Sequence, residues 1–312
     1  MRVFLAGASG AIGGPLLPRL LEAGHEVIAL ARSRERATAL AGAGVETAVA
    51  DALDEEALRS AILRSRPEVV VNQLTALPAT IRPRHYAADL AATSELRRRV
   101  YPVVAQAAAD AGARRVISQS VSFMLDPSGP WVQDESAPLH RDPPAGTREA
   151  VESMRVLEEA TLGTAGIEGV VLRYGLFYGT GQIAPGGSLA EDVRRRRLPV
   201  VASGDGRFSF VHVDDAAAAT VLALDGGAPG IYNIVDDEPA PQREWVPGLA
   251  HIMGAKAPRR VPLWIAKLAA GPMALGAVSM RGSDNAKARR ELGWTPARPT
   301  WREGFAEVFA GD

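Results

Sequence analysis

Three glycines near the start of the chain have the spacing of a phosphate-binding turn. Gly7, Gly10 and Gly13 lie in the stretch GASGAIG, which follows the apolar run RVFLAG (2–7) and precedes a leucine-rich helical pattern. Glycine permits a tight turn and a close backbone approach, and the amides at the start of the next helix face a phosphate. This context predicts a dinucleotide site formed by Gly7, Ser9, Gly10, Ala11, Ile12 and Gly13.

The end of the second apolar run indicates which dinucleotide would bind. Sites for NAD usually carry Asp or Glu there to hold the ribose hydroxyls, whereas this chain has Arg32 and Ser33. A guanidinium pairs well with a 2′-phosphate, so we expect NADP(H) in preference to NAD(H), with a solvated basic turn as the alternative. Asp51, with Ala52 beside it, is expected to meet the adenine, although Asp51 could instead cap the following helix. Further cofactor contacts are expected from Leu74, Thr75, Ala76, Ser118 and Tyr174.

Short apolar runs alternate with helical patterns along the sequence. These elements must position the candidate residues. Such alternation predicts an α/β fold, namely a Rossmann-type, doubly wound parallel sheet, whose ligands bind at the carboxyl ends of the strands. The last third of the chain is richer in Gly and Pro and predicts a smaller, discontinuous substrate lobe. The predicted strands are 2–7, 26–31, 45–50, 68–73, 115–120 and 169–174, with helices over 54–65, 103–111 and 147–159. The predicted dinucleotide-binding domain is 1–175 plus 205–235, and the predicted lobe is 176–204 plus 236–312.

Composition excludes several classes of function. A formal net charge of −1 argues against a nucleic-acid or membrane-surface partner, and the absence of cysteine excludes thiolate chemistry and disulfides. The apolar segment 263–280 is interrupted by Lys267, Gly271 and Pro272, which favours a pocket-lining or core helix over a membrane span. We find no His, Asp and Glu set with convincing metal spacing. The sequence therefore predicts a cytoplasmic protein that acts on a small molecule.

The chain resembles the short-chain dehydrogenase/reductase superfamily, specifically its extended or atypical, epimerase/dehydratase-like branch. Besides the glycine loop, the resemblance rests on Ser118-Gln-Ser120, LRYGLFYG (172–179), FVHVDDAAAA (210–219), GIYNIVDDEP (230–239), and LGWTP with WREGF within 292–305. It implies a nicotinamide cofactor and a catalytic Ser or Thr after the fifth strand, which Ser120 matches. A homodimer is also an expectation from the resemblance.

The resemblance further implies a YxxxK motif on the helix that follows, where the Tyr is the acid/base and the Lys lowers its pKa. An unperturbed phenol with a pKa near 10 is otherwise a poor base at neutral pH. The stretch TREAVESMRVLEE (147–159) contains neither Tyr nor Lys. Aligning Glu158 with the acid that commonly follows the motif places Ala150 at the Tyr position and Met154 at the Lys position. The usual mechanism therefore cannot be carried over to this chain.

Other residues are candidates for catalysis or substrate binding. Tyr178, after the sixth predicted strand, could stand in as proton donor, although packing is the alternative. Sugar-nucleotide epimerases of this superfamily commonly carry an Arg four residues before the His of the FVHV-type motif, where this chain has Phe208. We therefore expect a small, apolar or aromatic carbonyl or hydroxyl substrate in place of a nucleotide sugar. Its expected contacts are Ser122, Leu176, Phe177 and His85.

Three functions are compatible with these residues. The first is an NADP(H)-dependent oxidoreductase or epimerase in which Ser120 polarises the substrate. The second is a non-redox isomerase, cyclase or lyase on the same scaffold, a possibility opened by the loss of the Tyr–Lys pair. The third is a non-catalytic NADP-sensing protein similar to the NmrA-like regulators.

Overall fold

A seven-stranded parallel sheet forms the centre of the computed structural model, which describes residues 1–42 and 44–310 and, for Pro272, the backbone alone. The strands are β1 (Arg2–Ala6), β2 (Glu26–Ala31), β3 (Glu46–Val49), β4 (Val69–Asn72), β5 (Arg115–Val121), β6 (Val132–Gln133), β7 (Glu168–Tyr174), β8 (Leu176–Tyr178), β9 (Val200–Val201), β10 (Arg207–Phe208), β11 (Phe210–His212), β12 (Gly230–Ile234), β13 (Ala240–Pro241), β14 (Arg260–Val261) and β15 (Gly282–Ser283). The order in the central sheet is β3-β2-β1-β4-β5-β7-β12, so the chain changes direction across the sheet between β1 and β4. That switch point is where open α/β sheets bind their ligands.

Helices cover both faces of the sheet. They are α1 (Gly13–Glu22), α2 (Arg34–Ala41), α3 (Glu55–Ser65), α4 (Tyr86–Asp89), α5 (Ala91–Asp110), α6 (Ala145–Gly163), α7 (Ser188–Arg194), α8 (Val213–Leu222), α9 (Gln242–Ile252), α10 (Leu263–Ala270), α11 (Gly276–Ser279) and α12 (Trp301–Val308). Residues of α1 and α8 form the apolar core on one face, and residues of α3 and α5 form the core on the other. A continuous apolar sequence suits strands that are buried on both sides, which explains why the runs predicted the sheet.

A separate apolar cluster lies outside the sheet and draws on the last third of the chain. Its aromatic centre contains Tyr178, Phe210, Trp245, Trp301 and Phe305. Phe305 stands edge-on to both Tyr178 and Phe210, with ring centroids 5.1 and 5.2 Å away. The predicted division into two domains stays a prediction, although this cluster is the core that such a lobe would need.

Two elements differ from the sequence-based expectation. Strand β12 lies at the sheet edge beside β7, a position that the six predicted strands do not include. Helix α5 spans 20 residues and contains Pro102 in its interior, whereas the prediction began the helix at 103. Proline normally interrupts a helix, but Val100, Tyr101 and Val104 are all fully buried, and this packing extends the helix through Pro102.

The apolar segment 263–280 forms α10, a 3-10 turn at Gly271–Leu275 and α11. Within the described residues, no helix combines the length and apolarity needed to cross a bilayer. The segment is therefore not one continuous core helix, and on α10 the side chains of Trp264 and Leu268 are exposed.

Candidate active site

The glycine turn between β1 and α1 is built so tightly that side chains are excluded. Gly7 has a φ of +94°, and a Cβ there would lie 2.8 Å from the backbone of Gln73. A Cβ on Gly13 would lie 2.0 Å from the carbonyl oxygen of Gly7, and the amide of Gly10 donates to that same oxygen at 3.0 Å. The turn therefore places the first amides of α1 where a pyrophosphate can reach them.

A groove of about 450 Å³ opens over this turn. One wall is formed by Ser9, Gly10 and Ala11, whereas Ile12 is buried beneath them with an exposed fraction of 3%. The groove is also lined by Gly179 and Thr180, which follow β8, and by His212 at the end of β11. Sequence reasoning did not assign these residues to the cofactor site, although the motif FVHVDD was a signal. The position of the groove, directly over the glycine turn, fits the pyrophosphate of a dinucleotide.

The start of α2 places cations beside the glycine turn. Arg32 is exposed, and the Ser33 hydroxyl caps α2 by accepting the amide of Arg36 at 3.3 Å. The Arg36 guanidinium donates to the Ser9 hydroxyl at 3.1 Å and so bridges α2 to the groove. The sequence did not predict a role for Arg36 at the cofactor site. Only its hydrogen bond to Ser9 in the structure distinguishes it from an ordinary surface arginine.

The loops after β3 and β4 line the same edge of the sheet. Asp51 is exposed and accepts the amide of Leu53 at 3.0 Å, while Asp54 caps α3, so the cap does not come from Asp51. Ala52 is half-buried beside it. The Leu74 carbonyl accepts the Tyr101 hydroxyl at 3.0 Å, and the amide of Ala76 donates to Thr93 at 3.1 Å. These bonds fix the backbone at Leu74 and Ala76 after β4, and the contacts of Leu74, Thr75 and Ala76 with the cofactor stay a prediction.

The two serines of β5 correct an expectation, because both side chains point into a buried network. The Ser118 hydroxyl accepts from Thr161 at 2.8 Å. The Ser120 hydroxyl is fully buried and donates to Glu158 at 2.7 Å. Arg173 holds both oxygens of Glu158, at 2.8 and 2.7 Å. Since these hydroxyls are already bonded to α6, we do not expect Ser120 to polarise substrate or the Ser118 side chain to hold cofactor.

Helix α6 presents apolar side chains where the resemblance implies an acid/base pair. Ala150 and Met154 have exposed fractions of 3% and 1%. Ala150 packs with Tyr86 and Leu90, and Met154 packs in a cluster with Tyr101. The sequence of α6, Ala145–Gly163, contains no Tyr and no Lys. Helix α6 therefore offers no Tyr or Lys side chain that could protonate a developing alkoxide.

The tyrosines proposed for cofactor contact and proton transfer also require correction. The Tyr178 hydroxyl lies in the aromatic cluster, where a Cβ on Gly304 would come within 1.9 Å of it, and burial raises its pKa far above the ordinary value. The Tyr174 hydroxyl is bonded to Gln73 at 3.1 Å and Thr220 at 2.7 Å, and burial raises its pKa to about 12. Both rings are fully buried, so neither is placed to donate a proton or contact a cofactor.

The four residues expected to contact substrate are not brought together. Leu176 packs against the aromatic cluster, whereas Phe177 packs against the core of the sheet, 5.4 Å from the Tyr174 ring centroid. His85 is exposed at the end of a short 3-10 turn, Pro83–His85. Ser122 is 1% exposed, and its hydroxyl has no hydrogen-bond partner among the described residues. Of the four, Ser122 alone keeps a buried polar atom free for a ligand.

His212 closes the groove in its neutral form. Its Nδ1 accepts the amide of Asp214 at 3.1 Å and so caps α8. Burial lowers the pKa of His212, the nearby Arg298 lowers it further, and Asp214 and Asp215 oppose the shift. Asp215 itself accepts the amides of Ala297 and Arg298, both at 3.1 Å. The segment HVDD (212–215) therefore has a structural role, because His212 caps α8 and Asp215 holds the backbone at Ala297 and Arg298.

Replacing His212 by Asn should weaken the pH dependence of stability. The unfolded chain takes up a proton at His212 near pH 6.5, whereas the folded chain resists protonation to a lower pH. The stability contributed by neutral His212 is therefore present above that pH and is lost as the pH falls through the folded pKa. Asn retains a capping acceptor without titrating. Between about pH 7 and about pH 5, we expect the Tm of His212→Asn to fall less than the Tm of the wild type. An equal fall in Tm for the two proteins would contradict this role of His212.

The comparisons with known proteins identify the family. A model of the NAD-dependent epimerase/dehydratase family matches residues 3–235. The chain belongs to this family. Its members belong to the extended short-chain dehydrogenases/reductases that the sequence resembles, so that prediction is confirmed.

Three known proteins are similar to this chain over nearly its whole length. A 3-diazoavenalumate denitrifying reductase from a Streptomyces species is 43% identical over 308 residues, which cover 98% of this chain and 99% of that protein. A 4-hydroxy-2-methyl-3-oxo-4-farnesyl-3,4-dihydroquinoline-1-oxide ketoreductase from Stigmatella aurantiaca is 29% identical, with coverage of 98% and 95%. A human epimerase family protein solved with NADPH is 20% identical, covers both chains fully and has a TM-score of 0.76.

Together these comparisons establish the class of the protein. It is an enzyme of the oxidoreductase/epimerase class that uses a nicotinamide cofactor, and its fold is the predicted Rossmann-type sheet. The reductase relatives favour the first of the three functions over a non-catalytic sensor.

Proposed function

We propose that this enzyme is an NADP(H)-dependent reductase that removes the diazo nitrogen from an aromatic acid. From the sequence alone we expected a carbonyl or hydroxyl substrate, and the 43% identical reductase supports a diazo compound instead. The chemistry that the cofactor supplies when bound is hydride donation, with a C–H bond forming as the C–N bond breaks and dinitrogen leaves with its electron pair.

The apolar face of α6 is the observation that carries this proposal. Reduction of a ketone produces an alkoxide, which needs a proton from the protein in the same step. Replacement of dinitrogen by hydride creates no such anion, because the departing bond pair leaves with neutral dinitrogen. Ala150 and Met154, which offer neither a proton nor a charge, therefore suit denitrogenation and do not suit carbonyl reduction.

The cofactor site supports NADP(H) in preference to NAD(H). Arg32 and Arg36 flank Ser33 at the start of α2, where a 2′-phosphate would lie, and Arg36 already reaches Ser9. Guanidinium groups bind phosphate oxygens through charge-assisted hydrogen bonds. The glycine turn would hold the pyrophosphate, and Asp51 would meet the adenosine. The loops with Gly179 and His212 would exclude water from the opposite side of the groove.

The test is turnover of two matched electrophiles with NADPH. We expect the enzyme to consume NADPH with a diazonium salt of cinnamate and to release dinitrogen in equal amount, above the rate without enzyme. A 3-oxoalkanoate, which represents the carbonyl substrates expected from the sequence, should not be reduced. Ala150→Tyr combined with Met154→Lys should not raise diazonium turnover, because no proton is limiting.

Two results would contradict the proposal. Reduction of the 3-oxo compound by the wild type, without nitrogen release from the diazonium salt, would favour a ketoreductase with an unidentified proton donor. Conversion of a substrate without NADPH consumption would favour the isomerase, cyclase or lyase alternative.

A further inference from the structure

A buried arginine on α5 lacks a carboxylate partner among the residues that the structure describes. Arg97 has an exposed fraction of 5%, and its Nε has no hydrogen-bond acceptor among the residues that the structure describes. The next two residues differ from Arg97, because they form exposed ion pairs on the helix surface. Arg98 pairs with Glu149, and Arg99 pairs with Glu55. An arginine is rarely buried without a binding partner, because removing a guanidinium from water is unfavourable.

Arg97 lies beside the positions where the superfamily keeps its acid/base pair. The ionisable groups that act on it include Tyr101, one turn further along α5, and Tyr86 on α4. Tyr86 shares a cluster with Ala150, and Tyr101 shares a cluster with Met154. The Tyr101 hydroxyl reaches the Leu74 carbonyl at the carboxyl end of β4, which locates this group at the ligand-binding edge of the sheet.

No carboxylate among the described residues forms an ion pair with Arg97. Glu158 acts on it from a distance, but both oxygens of Glu158 are already held by Arg173, with Ser120 as a third donor. Burial lowers the pKa of Arg97, and the influences of Tyr101, Tyr86 and Glu158 only partly oppose that effect. Arginine is not deprotonated in proteins, so the guanidinium remains charged. A buried cation that lacks an ion-pair partner in the protein can be neutralised by an anionic group of a ligand.

We propose that Arg97 binds the carboxylate of an aromatic acid substrate and so fixes its orientation at the active site. This inference rests on the proposed function, which it deepens by assigning the substrate anion to a named residue. A carboxylate matches the planar fork of a guanidinium in a bidentate pair, which a hydroxyl or a ribose diol does not. Tyr86 and Tyr101, which both act on Arg97, provide aromatic surface near it.

The test compares an acid with its neutral amide. Binding of cinnamate and cinnamamide is measured by calorimetry on the enzyme loaded with NADP⁺. Arg97→Met should weaken cinnamate binding by about ten- to hundredfold and leave cinnamamide binding unchanged, because one charge-assisted pair is lost. Its Tm should not fall, since the variant removes a buried, uncompensated charge. Arg98→Gln, one residue along the same helix, should bind both ligands as the wild type does.

Several outcomes would overturn the assignment. Unchanged cinnamate binding in Arg97→Met, equal loss of both ligands, or failure of the wild type to prefer cinnamate would each do so. If Arg97→Met does not fold, Arg97→Lys keeps the charge and should still weaken cinnamate selectively, because the bidentate geometry is lost. Arg97-dependent cinnamate binding without diazonium turnover would reject the proposed reaction and retain the anion site.

Discussion

Replacing Gly13 by alanine is expected to lower NADPH affinity by about a hundredfold, because the added methyl group cannot fit. It would lie 2.0 Å from the Gly7 carbonyl oxygen and 2.7 Å from the Cα of Ala8, both of which belong to the backbone. A rigid backbone cannot rotate aside as a side chain can, so the turn must open and the amides that face the pyrophosphate must move. Fluorescence titration with NADPH measures this loss directly.

The matched control for this variant is Gly163→Ala. Gly163 ends α6, and a Cβ there would meet no atom within 4 Å. Alanine at this helical position should keep the wild-type affinity and, if anything, raise Tm slightly. Wild-type cofactor binding by Gly13→Ala would contradict the assignment of the turn as the phosphate site.

Replacing Glu158 by Gln is expected to destabilise the fold by about 3–5 kcal/mol, because it leaves the Arg173 guanidinium buried without a counter-charge. The side chains of Arg173 and Glu158 are 3% and 8% exposed, so water cannot compensate. Gln keeps the shape and can still accept from Ser120, which isolates the effect of charge. The expected fall in Tm is roughly 10 °C, measured by calorimetry.

Two further variants test this interpretation. Glu149→Gln removes the partner of the exposed Arg98–Glu149 pair, whose side chains are 43% and 46% exposed, and should change stability by less than about 0.5 kcal/mol. Replacing Arg173 and Glu158 together by Met should recover most of the stability lost in Glu158→Gln, since neither charge then remains uncompensated. A Tm for Glu158→Gln equal to that of Glu149→Gln would show that the buried pair is not a major source of stability.

The features that the sequence predicted correctly depend on residues that are close together in the sequence. The glycine turn depends on a positive φ at Gly7 and a close approach at Gly13, and both follow from residues within a few positions. The strands of the sheet follow from apolar runs that are buried on both faces. Strand β12 was missed because its first residues, Gly230 and Ile231, are only half-buried at the sheet edge, so its pattern is weaker.

The features that the sequence missed depend on contacts between distant segments. Ser120 and Glu158 are 38 residues apart, and only the packing of α6 on β5 brings the carboxylate to the hydroxyl. Arg97 lies in a run of three arginines, which is typical of a solvated helix face. Its burial follows from the packing of α5 against α4 and α6, which a single helix pattern cannot show. Tyr178 was expected at the substrate edge because its loop leads there, but its ring turns into the aromatic cluster.

The most direct test of the central claim follows the hydrogen that replaces nitrogen. The enzyme is incubated in ordinary water with the diazonium salt of cinnamate and NADPH that carries deuterium at the transferred position of C4. The product is then analysed by NMR and mass spectrometry. We predict deuterium at the carbon that lost nitrogen, in equal amount to the dinitrogen released. A product that takes this hydrogen from solvent, or that retains both nitrogen atoms, would contradict the account.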